Sequence, residues 1–216
     1  MEATRGLASF VGANLKEEGR FIWQDEQLVP QYFKHRSKAF LSKRKWHAEF
    51  DHATQQVAGK HKGDEYSLNL REEVLDPLTQ FIDSGRRAAQ ISSLVPAANE
   101  PQQSSSSVDA SATEEEPALA EWAYASVMKG ELRQYQFKAY APAALATKCG
   151  EFPAVRILRT RAESPATQEM WYSLGTQWNL ARLKIVQRDG DILDLDLSAL
   201  EVAGTHLCGE FEPEDD

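Results

Sequence analysis

The spacing of apolar positions changes near residue 96. Upstream, Leu7, Phe10, Val11 and Leu15 recur every three to four residues, which predicts an amphipathic helix over residues 3–20. Between residues 30 and 57, Tyr32, Ala39, Trp46, Phe50, Ala53 and Val57 fall on one side of a helical wheel, widened by Val29, Phe33 and Phe40. A second, longer helix is expected there, with Lys34, Lys38, Lys45 and His52 roughly opposite the apolar stripe. A third is expected from Asn69, an N-cap with Glu72 three residues later, through Val74, Leu78 and Phe81, kinked or interrupted at Pro77.

Downstream the period is two. In "ELRQYQFKAY", Tyr135, Phe137 and Ala139 alternate with Gln134, Gln136 and Lys138, as in a strand with one buried face. "ARLKIVQRDGDILDLDL" holds two alternating runs joined at Asp189-Gly190, a dipeptide favoured in two-residue type I′ hairpins. Its second run points Leu193, Leu195 and Leu197 to the core and Asp194 and Asp196 to solvent. "AVRIL" and "MWYSL" are further strands, and "ALAEWAYASV" a short helix. Residues 96–117 have three prolines, a four-serine run and three consecutive glutamates but no aromatic residue, so they cannot bury enough apolar surface to offset their ordering entropy. The expected class is α+β. About three helices form a module over residues 1–95, residues 96–117 are a disordered linker, residues 118–209 make a small, mainly antiparallel β-rich or α+β domain, and residues 210–216 are an acidic tail.

Composition narrows the class. No run approaches the eighteen or more apolar residues of a membrane span, and the N-terminus lacks the apolar stretch of a secretory signal, so an intracellular protein, cytoplasmic or nuclear, is expected. Cys149 and Cys208 can form at most one disulfide, and reduced thiols fit such a compartment.

Charge supplies the one unusual feature. The chain carries formal net charge -9, yet from Tyr32 to Lys62 eight Lys or Arg face only Glu49 and Asp51. Positions 34–48 contain no acid, whereas a helix needing solubility alone would mix signs for i, i+4 support. Lys34, Lys38, Lys43, Arg44 and Lys45 are therefore the candidate partner-binding residues. Their counterpart is an acidic protein surface first, nucleic acid second and an anionic membrane third, with the chain's own acidic linker or tail as an intramolecular version of the first.

Catalytic and metal motifs are weak. Cys149 would be a nucleophile if Lys148 lowered its pKa and His206 served as base, which leaves a Cys149-dependent enzyme as an alternative. No paired-cysteine spacing supports zinc, "DGDILDLD" departs from a calcium loop at Leu193 and Asp194, and "AGKHKG" lacks the P-loop pattern, so no cofactor or metal is expected. "LVPQYFKH" resembles the segment before the recognition helix of heat-shock-factor DNA-binding domains, and "REEVLDPLTQF" resembles a short helix of F-BAR proteins. Neither extends beyond about a dozen residues, and neither carries functional residues over. The sequence thus reads as a non-enzymatic interaction or assembly protein whose basic-aromatic segment docks an acidic partner, with RNA or DNA binding by the same segment as the alternative.

Overall fold

Alternation by two, and not by 3.6, governs the N-terminal half as well. A computed structural model describes residues 3–4, 9–10, 13–39, 42–70, 74–94, 116–174, 179–202 and 205–209. In it the expected helix at 3–20 is replaced by strands β1 (Ala3–Thr4), β2 (Ser9–Phe10) and β3 (Ala13–Gln24). The expected helix at 30–57 is β4 (Gln27–Ala39), β5 (Ser42–Asp51) and the start of β6 (Gln56–His61). Then come β7 (Asp64–Asn69), β8 (Val74–Leu75) and a single helix, α1 (Pro77–Leu94). The three-helix module is thereby overturned, and the described residues are mostly strand with one helix. The physical reason is that Trp46 and Phe50, four apart, satisfy a helical stripe and a strand face equally. Ala48 between them decides, because it is fully buried while Lys45 and Glu49 are exposed.

The third helix also starts elsewhere. Pro77 opens α1 at the first helical position, where its missing N–H costs nothing, and does not kink it. The cap is Asp76, whose Oδ1 accepts from the backbone N–H of Leu78 at 2.9 Å and of Thr79 at 3.0 Å.

The remaining strands are β9 (Ala120–Met128), β10 (Glu131–Ala139), β11 (Ala143–Thr147), β12 (Gly150–Arg161), β13 (Ser164–Ser173), β14 (Leu180–Val186), β15 (Ile192–Asp196), β16 (Ala199–Val202) and β17 (Thr205–Gly209). "ALAEWAYASV" is thus strand β9, not a short helix. The β14–β15 hairpin exists, but its turn has three residues: the Gln187 N–H donates to Asp191 O at 2.8 Å, the Gly190 N–H to Gln187 O at 3.1 Å, and Gly190 takes φ 91°. That is a type I turn closed by a left-handed glycine, not a type I′ pair. Most of the expected linker and the whole acidic tail lie outside the described residues.

The first sheet runs β1-β3-β4-β5-β6-β7, with β2 also on β3, and is antiparallel throughout. The second runs β15-β14-β13-β12-β10-β9-β8, with β11 on β12, and its β8–β9 contact is parallel. β16 and β17 form a separate hairpin. By compactness the chain divides into Met1–Ser84 with Ala123–Gln136, and Gly85–Trp122 with Phe137–Asp216. The first unit buries Phe33, Trp46, Ala48, Phe50 and Val57 from β4–β6 together with Leu70, Val74, Ala125 and Val127. The second packs Leu145, Ala154 and Ala181 with Phe152 and Trp171. A Cys149–Cys208 disulfide, Cα–Cα 5.2 Å, ties the β11–β12 turn to β17, which corrects the expectation of reduced thiols.

One close crossing pins β5, β6 and β7. The Tyr66 hydroxyl donates to His47 O at 2.6 Å across Gly59, where a Cβ would lie 2.1 Å from that carbonyl and 2.5 Å from the Tyr66 oxygen. Gly59→Ala is expected to cost about 3 kcal/mol or more by overpacking, read as a lowered denaturation midpoint with an unchanged slope.

Candidate functional site

The cations of the first unit are arranged by strand register. Along β4 and β5 the buried residues Phe33, Trp46, Ala48 and Phe50 mark the inner face, so Lys34, Arg36, Lys38, Lys43, Lys45 and His47 take the outer one. Across the strands Arg36 stands opposite Lys45, Lys38 opposite Lys43, and Lys34 opposite His47. On the flanks Lys16 faces Arg36, Glu18 faces Lys34, and Lys60 faces His47. Lys34 is half-buried, and Lys16, Arg36, Lys38, Lys43, Lys45 and Lys60 are exposed. Among the described residues only Lys60 of this set makes an ion pair, with Glu65 at 3.8 Å. Like charges directly opposite destabilise a sheet by an amount similar to what opposite charges contribute.

The second unit shows the ordinary solution. Lys184 stands between Glu169 and Asp194. Arg182 pairs with Asp194 at 2.7 Å and with Asp196 at 3.4 Å. Arg156 pairs with Glu116 at 2.7 Å and with Glu169 at 3.2 Å while lying over the Tyr140 ring. Its guanidinium pKa is raised; burial opposes the shift, but the hydrogen bonds from both carboxylates outweigh it. Asp194 and Asp196 are exposed as expected, with Leu193, Leu195 and Leu197 half-buried.

Of the five residues singled out from the sequence, Lys34, Lys38, Lys43 and Lys45 share the outer face. They sit on a sheet, not on a helix. Arg44 alternates to the other side with Trp46. Lys16, Arg36 and Lys60 were missed, and the signal for Arg36 was its parity with Lys34 and Lys38 once the segment is read as a strand.

The inner face fixes that parity. Phe33 and Trp46 rings lie 4.8 Å apart, His35 stacks on Trp46 at 6.0 Å, and His35 Nδ1 meets Glu17 Oε1 at 2.8 Å. At one end of the outer face a pocket of about 600 Å³ is lined by Arg20, Ile22, Val29, Tyr32, Glu49 and His52, among others. A bulge at Gln31 bends β4 there and accommodates Pro30, whose carbonyl accepts from His52 Nε2 at 2.7 Å. Arg20 lies 4.8 Å over the Tyr32 ring, and burial followed by the Glu18 charge raises the Tyr32 phenol pKa.

Helix α1 turns a polar stripe inward. Thr79, Gln80, Asp83 and Ser84 are buried, whereas Leu78 and Phe81 are half-buried. Asp83 binds the Tyr124 hydroxyl, and Asp76 the Thr79 hydroxyl.

Cys149 is disulfide-bonded, so a thiolate there requires reduction of that bond first. The side chain of His206 lies outside the described residues. Among the described residues no group of three or more His, Cys, Asp or Glu could hold a metal ion, and no helix is long and apolar enough to cross a membrane. No family model, curated protein or solved structure matches the chain.

Burial pushes the Asp76 carboxyl from 3.8 up to about 6, against the Thr79 and Leu78 donors that hold it down. Because the folded value is the higher one, the folded state binds the proton more tightly. The stability this provides is complete below about pH 4 and is lost as pH rises through about 6. A shift of roughly two units corresponds to about 3 kcal/mol. Comparing wild type with Asp76→Asn in denaturant melts from pH 3.5 to 7.5 should show the wild type losing stability relative to the variant across that window. Parallel curves would place the titration elsewhere.

Proposed function

We propose that this chain is a non-enzymatic interaction or assembly protein that docks an acidic protein surface on the outer face of β3–β6. The observation that carries the reading is the pairing of Arg36 with Lys45 and Lys38 with Lys43, like against like, on a face where the described residues supply little compensation. Retaining mutual repulsion of this kind, roughly 0.2–1 kcal/mol per pair, fits a counter-charge that arrives from outside. An acidic partner is favoured over single-stranded nucleic acid because base binding uses outward aromatic platforms. Here Phe33, Trp46 and Phe50 are buried, and the outward Tyr32 is covered by Arg20.

The test is the variant Lys34→Glu/Lys38→Glu/Lys45→Glu. These side chains do not pack in the core, so its near-ultraviolet spectrum and melting midpoint should stay close to wild type. Its binding to poly-L-glutamate should be lost, and wild-type binding should weaken as salt rises and the Debye length falls from about 10 Å to about 3 Å. Unchanged affinity in the variant sinks the docking face. Tighter binding to an oligothymidylate, with a steep log-log salt slope, reassigns the partner to nucleic acid.

A further inference from the structure

The outer face of the first unit changes character at one end. Between Tyr32 and Lys62 the only acids are Glu49 and Asp51, and both line the pocket of about 600 Å³ beside the bulge in β4. A step of two residues along β4, about 7 Å, leads from Lys34 to Tyr32 and so from the lysines into this pocket. Tyr32 stands between Arg20 on β3 and Glu49 on β5, while Glu18 faces Lys34 one step back. Glu18 and Glu49 are exposed, and among the described residues neither makes an ion pair. Asp51 is committed to its own turn, where it accepts from the Ala53 and Thr54 N–H groups at 2.9 and 3.1 Å. His52 adds an acceptor: its Nε2 lies 2.7 Å from the Pro30 carbonyl, which can only accept, so in the neutral ring Nδ1 carries the lone pair. Ile22 and Val29, opposite one another across β3 and β4, supply apolar lining, and Ile22 is 48% exposed. The one Arg or Lys of the lining is Arg20, which lies 4.8 Å over the Tyr32 ring.

We propose that this pocket seats a lysine or arginine side chain of the docked partner, so that the surface recognised is an acidic segment accompanied within a few residues by a cation. The inference rests on the docking face described above and states what its partner carries besides acidity. An acidic side chain would meet Glu18, Glu49 and Asp51 here, and a purely apolar one would desolvate Glu49 without giving it a donor. A long cation satisfies both surfaces: its methylene stem covers Ile22 and Val29, and its head pairs with Glu49 and donates to His52 Nδ1. Lys34, Arg36 and Lys38 lie two, four and six residues from Tyr32, about 7 to 20 Å, so an extended partner sets its acids within about six residues of that cation.

The experiment is isothermal titration calorimetry on the full chain with end-blocked octaglutamate, with the same peptide carrying Gly-Arg at its C-terminus or Arg-Gly at its N-terminus, and with the citrulline counterpart of each, citrulline being the neutral isostere of arginine. In one of the two orders the arginine peptide should bind about fivefold tighter than its citrulline counterpart, the upper end for an exposed ion pair. The sign is diagnostic, because a positive charge added to a ligand of a cationic face weakens binding unless an acidic pocket receives it. Glu49→Gln alters an exposed side chain, so it should keep the wild-type near-ultraviolet spectrum and bind octaglutamate no more weakly than wild type. It should also lose the preference for arginine over citrulline. Octaglutamate that fails to bind the wild type overturns the docking face and the pocket with it. Octaglutamate that binds, with arginine no better than citrulline in either order or with a preference that survives in Glu49→Gln, overturns the pocket alone.

Discussion

The contact of Phe33 with Trp46 across β4 and β5 is the constraint on which the first unit depends. A strand shows alternate residues to opposite faces, so seating these two rings in the core dictates the orientation of every neighbour. The register that buries Phe33, Trp46, Ala48 and Phe50 also sends Lys34, Arg36, Lys38, Lys43 and Lys45 outward and leaves Arg44 behind. A slip of one residue would drive five charges inward and expose the two largest fully buried side chains among the described residues. Charge pattern and core are therefore one choice: the cations are gathered because the aromatics are.

Much of this was written in the sequence in a form that two periods share. The segregation of lysines from aromatics between residues 33 and 50 was legible, and so was the burial of Trp46, Phe50 and Val57. The geometry was not, because spacings of four belong to helix and strand alike. The features that separate the two were inconspicuous: a small Ala48 at the intermediate position, and hairpin turns at Asp25-Glu26 and 52–55 built without glycine or proline. Asp25, Glu26 and Gln55 all take left-handed φ values, and Asp51 caps its turn by accepting from Ala53 and Thr54. C-terminal strands such as β10 and β14 were easier to read, because unbroken apolar-polar alternation there has no helical equivalent.

The two units treat surface charge oppositely. In the second, Arg156, Arg182 and Lys184 are each matched across strands by carboxylates, so that face is electrically closed. In the first, the repulsion is left open. That contrast within a single chain removes overall acidity, salt tolerance or folding environment as explanations of the open face, because both sheets share all three.

The first unit takes Ala123–Gln136 from beyond α1, and Ala125 and Val127 of that stretch are buried against Trp46 and its neighbours. The polypeptide is thus interlaced: it leaves one unit, enters the other, returns and leaves again. Backbone scission between α1 and β9 would yield not two autonomous pieces but a split protein, whose N-terminal part lacks a wall of its own core and whose C-terminal part carries that wall. The N-terminal half needs the other to complete its core, so the stretch between α1 and β9 is a natural place to make assembly of the first unit conditional.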